Sequence, residues 1–177
     1  MCYNEKVKRL SFLKSYVVFA VVLTMAFTVD ILSKYLLTGT NTTVIPGVLS
    51  FVFYRNYGIA FGWMADGGVW LAITSAVLIA LAIGYYVWHR RELGKQNRKP
   101  HLLFDIGFSL FIGGGLGNLF DRVFFGYVRD FIHLDFIRFP IFNFADMFIN
   151  IGIVLILVYV LFIQTRKKRG TNAEDNG

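Results

Sequence analysis

The chain has 177 residues, 56% of them apolar, with 19 Phe, 9 Tyr and a formal net charge of +7. A soluble domain of this length has too little interior for so much apolar surface. One cysteine, Cys2, excludes an intramolecular disulfide and a cysteine metal cluster within one chain.

Four stretches reach the roughly 20 residues that a bilayer requires. They run over about 16–37, 69–88, 102–120 and 144–163. One unit over residues 15–165 is predicted, flanked by a basic leader (1–14) and a basic, polar tail (166–177). The fold class is a membrane all-α bundle of four helices, with a small extracytoplasmic sheet and an interfacial segment.

The charge follows these spans. Four cations precede the first (Lys6, Lys8, Arg9, Lys14). Five separate the second from the third (Arg90, Arg91, Lys95, Arg98, Lys99), and four follow the fourth (Arg166, Lys167, Lys168, Arg169). The other two connections hold four between them, Arg55, Arg122, Arg129 and Arg138. The positive-inside rule then places both termini and the middle loop in the cytoplasm. Topology thus accounts for the positive charge, and no nucleic-acid partner is expected.

In chain order, the leader is read as mobile, and Cys2 as an incidental thiol, since it precedes the apolar run instead of following it. The first span is longer than a signal-peptide core and no small-x-small site follows it, so it is expected to be retained. It carries Asp30 and Lys34, four apart on one helical face in the favourable order. They are either an ion pair anchoring the helix end or part of a site, and lysine can also snorkel outward.

Thr42–Ile45 and Val48–Tyr54 read as short strands around Pro46-Gly47. Aromatics Phe51, Phe53, Tyr54, Phe61 and Trp63 suit a sheet at headgroup level. Asn56 and Gly58 form an Asn-x-Gly turn signal. The third span is glycine-rich, and Gly113 and Gly117 form a small-xxx-small pair that lets helices approach closely. Asn118, Asp121 and Arg122 close it, either as a polar cluster serving a site or as a helix end meeting water. Val123–Phe142 fits an interfacial helix or loop. Asn143 can cap the fourth helix, and Asp146 falls in its first turn, where the helix dipole favours a carboxylate.

Asp130 and Asp146 lie at the edges of spans on the same side of the bilayer. A carboxylate near hydrocarbon is costly and persists where something offsets the cost. Two close carboxylates share a proton, so one can take a proton from water while the other polarises a carbonyl. Asp135 is a third outer carboxylate, read as solvated or structural. Other hydrolytic schemes lack parts. His89 and His101 fall on the cytoplasmic side, and only His133 lies outside to serve a serine nucleophile. No H-E-x-x-H zinc motif occurs. A Mg²⁺ site built from aspartates is conceivable, but no metal or cofactor is expected.

Five segments then match a known family in its order: Asp30-Ile-Leu-Ser-Lys34, Asn56-Tyr-Gly-Ile-Ala-Phe-Gly62, Gly113-Gly-Gly-Leu-Gly-Asn-Leu-Phe-Asp-Arg122, Val128-Arg-Asp-Phe131 and Phe142-Asn-Phe-Ala-Asp146. Over roughly residues 15–165 the chain resembles the bacterial lipoprotein signal peptidases, signal peptidase II. The resemblance implies a four-helix enzyme of the bacterial cytoplasmic membrane, with an outer sheet and an aspartyl dyad at the outer face. It implies Asp130 and Asp146 as the catalytic pair. Asp30, Lys34, Asn56, Gly58, Asn118, Arg122 and Asn143 would shape the site, with Asp121 beside them. The family cuts signal peptides from prolipoproteins just before a cysteine carrying diacylglycerol. Its partners are therefore lipidated prolipoproteins, membrane lipid and globomycin-like peptide inhibitors. The competing class is a proton-coupled transporter or a membrane scaffold. A transporter would hold its carboxylates near the midplane, whereas these sit at one interface.

Overall fold

A computed structural model describes residues 3–58, 67–96 and 98–164. Phe61, Trp63, Cys2 and the four cations after the last span lie outside the described residues. Helix α1 (Tyr3–Leu37) leads into strands β1 (Asn41–Ile45) and β2 (Leu49–Asn56), then α2 (Gly67–Lys95) and α3 (Leu102–Phe125). Strand β3 (Val128–Leu134) and helix α4 (Phe144–Val158) follow, and a π-helical segment, Tyr159–Gln164, continues α4.

Four helical stretches are long and apolar enough to cross a membrane: Arg9–Leu37, Val69–Lys95, Leu102–Phe125 and Phe144–Phe162. They overlap the four predicted spans, but α1 begins at Tyr3, so the leader expected to be mobile is helical from there. Over their most apolar windows α3 is 61% buried, against 11–17% for the other three, so α3 is the central post of the bundle. The other helices turn Val17, Val21, Leu78, Leu81, Ile151 and Val154 outward. Such a surface suits hydrocarbon, and helices satisfy their own backbone groups there.

Glycines allow the close packing. A Cβ on Gly113 would lie 2.8 Å from the Leu23 carbonyl oxygen of α1, and one on Gly114 would lie 2.6 Å from the Ala145 carbonyl oxygen of α4. The glycine-rich face therefore packs within the chain. Toward the other end of α3, Ile79, Tyr86, Phe104, Phe108, Ile112 and Tyr159 form the apolar core.

The sheet is antiparallel, in the order β1-β2-β3. Strands β1 and β2 are the predicted hairpin, turning at Pro46-Gly47 with Gly47 at φ 72°. The segment Val123–Phe142 differs from expectation, because its middle is β3 and not an interfacial helix or loop. Val128–Leu134 pairs with β2 on one side, and Ile132 bridges Phe142 on the other. The first five residues of β3 are all buried, so its two-residue period carries no polar–apolar contrast.

Candidate active site

The ends of α1, α3 and α4 meet the sheet at one end of the bundle, and most of the sequence-predicted site residues converge there. Asp130 is the third residue of β3 and is fully buried. Asn56 Nδ2 donates to its Oδ2 at 2.8 Å, and Asn143 Nδ2 donates to its Oδ1 at 2.6 Å. Asn56 is held in turn by a tight turn, in which the Gly58 N–H donates to Asn56 Oδ1 at 2.8 Å. Gly58 has φ 72°, which a side chain disfavours. That turn fixes which end of the Asn56 amide faces the carboxylate.

Asp146 lies in the first turn of α4 and is partly exposed. Asn143 is the N-cap. Its Oδ1 accepts from the Asp146 N–H at 2.9 Å, and Asp146 Oδ2 accepts from the Asn143 N–H at 3.3 Å. This reciprocal capping box holds the carboxylate against the helix end, where the dipole favours negative charge. Asn118 Nδ2 supplies a further bond to Asp146 Oδ1 at 2.8 Å. Asn143 thus touches both carboxylates, donating to one and capping with the other.

Behind Asn118 sits a buried ionic cluster. Lys34 Nζ lies 2.9 Å from Asn118 Oδ1, 2.7 Å from Asp30 Oδ2 and 3.3 Å from Asp121 Oδ2. The first contact is a hydrogen bond and the other two are ion pairs, and Lys34 is 1% exposed, so it does not snorkel outward. Asp30 Oδ1 accepts from the Ala145 N–H at 2.9 Å, so the first span also helps hold the start of α4. Gly117 makes room for it, since a Cβ there would come within 2.2 Å of Asp30 Oδ2. The Asp30–Lys34 pair therefore does more than anchor its own helix end.

Arg122 and Asp135 stand further from the pair. Arg122 bonds Ser75 Oγ of α2 at 3.3 Å, with no hydrogen bond to either carboxylate. Asp135 accepts from Ser50 Oγ at 2.8 Å and pairs with His133 at 2.9 Å, which makes it part of the sheet's own structure. Sequence reasoning missed Arg129, whose guanidinium grips Asp121 at 2.7 Å. An arginine directly before Asp130, in a segment otherwise read as interfacial, was the available signal.

Burial of Asp130, reinforced by the nearby charge of Asp146, pushes its carboxyl up to about 6 against the bonds from Asn56 and Asn143. The site therefore offers one buried carboxyl with a high proton affinity beside a second at a helix N-terminus. Among the described residues no group of three or more His, Cys, Asp or Glu is placed to hold a metal ion.

Fold and site together define a multi-pass membrane protein with a built polar site at one end of its bundle. A family model described as Signal peptidase (SPase) II matches residues 21–162, and the chain belongs to that family. It is accordingly a peptidase. The lipoprotein signal peptidase of Lactiplantibacillus plantarum is 38% identical over 128 residues, covering 72% of this chain and 80% of the relative. That of Geobacillus kaustophilus is 35% identical over 151 residues, covering 84% and 93%. A solved bacterial membrane enzyme, determined by the in meso method at 1.9 Å resolution, superposes with a TM-score of 0.68 at 27% identity. That match covers 85% of this chain and 94% of the other.

Proposed function

We propose that this peptidase removes signal peptides from diacylglyceryl-modified prolipoproteins, cleaving before the lipidated cysteine with water activated between Asp130 and Asp146. The observation that carries the reading is Asn143, which bonds both carboxylates and so joins strand β3 to the start of α4. Family membership supports the substrate class.

In this reading the pair shares one proton. Asp130, the more buried, holds it and donates to the carbonyl oxygen of the scissile bond. Asp146, at the helix end, takes a proton from water, which attacks the carbonyl carbon. The resulting gem-diol collapses as Asp146 gives its proton to the leaving amine and Asp130 takes one back from a gem-diol hydroxyl. No covalent intermediate is needed. Asn56, Asn118 and Asn143 keep the two carboxyls oriented, and Lys34 keeps the Asn118 amide oriented. A site at the end of the bundle holds the scissile bond at the membrane surface and leaves the acyl chains in lipid. The charge distribution supports a reading in which both termini are cytoplasmic and the dyad faces outward from a bacterial cytoplasmic membrane. A globomycin-like peptide would compete for the same place.

The test is cleavage of a diacylglyceryl-modified prolipoprotein by the purified protein, beside an unlipidated substrate and the variants Asp130→Asn and Asp146→Asn. Cleavage of the lipidated substrate by the unaltered enzyme alone is expected. Full activity in either folded variant would remove the dyad from the mechanism. Equal cleavage of the unlipidated substrate would remove the lipid requirement.

A further inference from the structure

We propose that Arg129 is a positioning residue for the dyad, acting by taking the charge of Asp121 so that Lys34 stays on Asp30 and Asn118. The inference rests on the dyad reading above and adds a residue to it. Alternation along β3 puts the Arg129 and Asp130 side chains on opposite faces. The Arg129 side chain packs back onto α3, 7% exposed, with its guanidinium 4.4 Å from the centre of the Phe125 ring.

Asp121 receives three bonds from this one residue. Arg129 Nε and Nη2 reach its Oδ1 at 3.1 and 2.7 Å, and the Arg129 backbone N–H reaches its Oδ2 at 2.9 Å. The grip is both side-chain and main-chain, and it ends one residue before Asp130. The Arg129 carbonyl also accepts from Asn143 Nδ2 at 3.5 Å. Holding Arg129 therefore sets where β3 presents Asp130 to the cap of α4.

The second effect is electrostatic. Asp30 and Asp121 face Lys34 and Arg129 in one buried cluster, two negative groups against two positive. Lys34 already pairs with both carboxylates, and without Arg129 it would be the sole cation left to them. Nothing on the sheet replaces it, because Arg55, opposite Arg129 in register, lies 5.2 Å over the Tyr127 ring. Lys34 would move toward Asp121 and away from Asn118 Oδ1, and the Asn118 amide, which donates to Asp146, would keep only the 3.2 Å bond from Asn143 Nδ2 to its oxygen. The groups that bear on Asp130 are then Asp30 and Lys34 of α1, Asp121 and Arg122 of α3, Asp146 of α4 and Arg129 itself. Removing one positive charge from this set strengthens proton binding at Asp130.

The experiment compares Arg129→Met, Arg129→Lys and the double variant Arg129→Met/Asp121→Asn as detergent-purified proteins cleaving a diacylglyceryl-modified prolipoprotein across pH 5–9. Arg129→Met should lower kcat by about ten- to a hundredfold with little change in KM. Its alkaline limb should move up by roughly 0.5–1 pH unit. Arg129→Lys should keep the wild-type limb, because the charge remains, with an intermediate kcat because the fork is lost. The double variant should return the limb toward wild type. Wild-type kcat and limb in folded Arg129→Met would overturn the proposal. So would a shifted limb in Arg129→Lys, which carries the test if Arg129→Met does not fold. Asp130→Asn and Asp146→Asn run alongside. If either retains full activity, the dyad reading has failed. If both are inactive and Arg129→Met behaves as wild type, this inference alone has failed.

Discussion

Two ends of α3 bury charge, and they do so differently. At the Asn118 end, four aspartates, Lys34 and Arg129 gather around three asparagines, and the cluster includes the partly exposed Asp146. At the other end, Asp105 is fully buried, bonded by Ser15 and by Tyr86 at 3.0 Å, and paired with Arg90 at 3.3 Å. The Arg90 guanidinium also lies over Phe12, Tyr16 and Tyr86, at 4.6–5.8 Å from their centres. That second cluster is one acid against one base, enclosed by aromatic rings. It ties α1, α2 and α3 together and leaves no carboxylate open to approach. Buried charge alone does not mark a site. Unequal charge and an open carboxylate are what set the proposed site apart.

The comparison breaks most sharply at the dyad. Asp146→Asn and Asp130→Asn are each expected to lower cleavage by about 10³-fold or more while the protein stays folded in detergent. Asp105→Ala should do the reverse. It leaves Arg90 buried without its partner, costing about 3–5 kcal/mol of stability. A thermal melt should show that loss, while cleavage per folded molecule stays at wild type. A large drop in turnover there would mean that the two ends are not separable. Asn118→Ala removes the amide between Lys34 and Asp146, and kcat should fall about ten- to a hundredfold.

The pH profile sharpens the contrast. In the proposed mechanism Asp130 carries the proton, and its carboxyl is pushed up to about 6, so kcat/KM should fall as pH rises through about 6. The profile for kcat should turn at higher pH, because bound substrate buries the site further. Asp105→Ala should leave both limbs in place. The smallest effect is expected at Gly58→Ala. A methyl there meets Leu71 Cδ1 at 2.1 Å and must hold φ 72°, costing about 1 kcal/mol and a few-fold in rate through Asn56.

What could be read from the chain alone follows the range of the interactions. The spans, the hairpin at Pro46-Gly47, the Asn143 cap and the Asp30–Lys34 spacing are all local, and each was legible. Strand β3 was not, because burial of Val128 through Ile132 erases the alternation that marks a strand. Asp121 was legible as part of a polar cluster or of a helix end meeting water, but its partner Arg129 on the next strand was not. Arg122 shares a helical face with Asn118, yet its hydrogen bond goes to Ser75, 47 residues away. The bond from Ser15 to Asp105 spans 90 residues, and no local pattern announces it. An acid inside a predicted span with no lysine or arginine one turn away was the hint to look for a distant partner.

The bridge between Ile132 and Phe142 has a consequence for how such an enzyme can diverge. Phe142 exchanges bonds with Ile132 at 2.8 and 3.1 Å and accepts from Phe131 at 3.1 Å, so both ends of the intervening loop are pinned beside the two aspartates. The loop from Phe136 to Pro140 is exposed and spans a closed gap. Loop length adds little free energy once the ends are fixed. Residues can be inserted there, or a reporter grafted in, without altering the spacing of the carboxyls. The face that meets the surroundings can thus change while the distance that the proposed chemistry requires is kept.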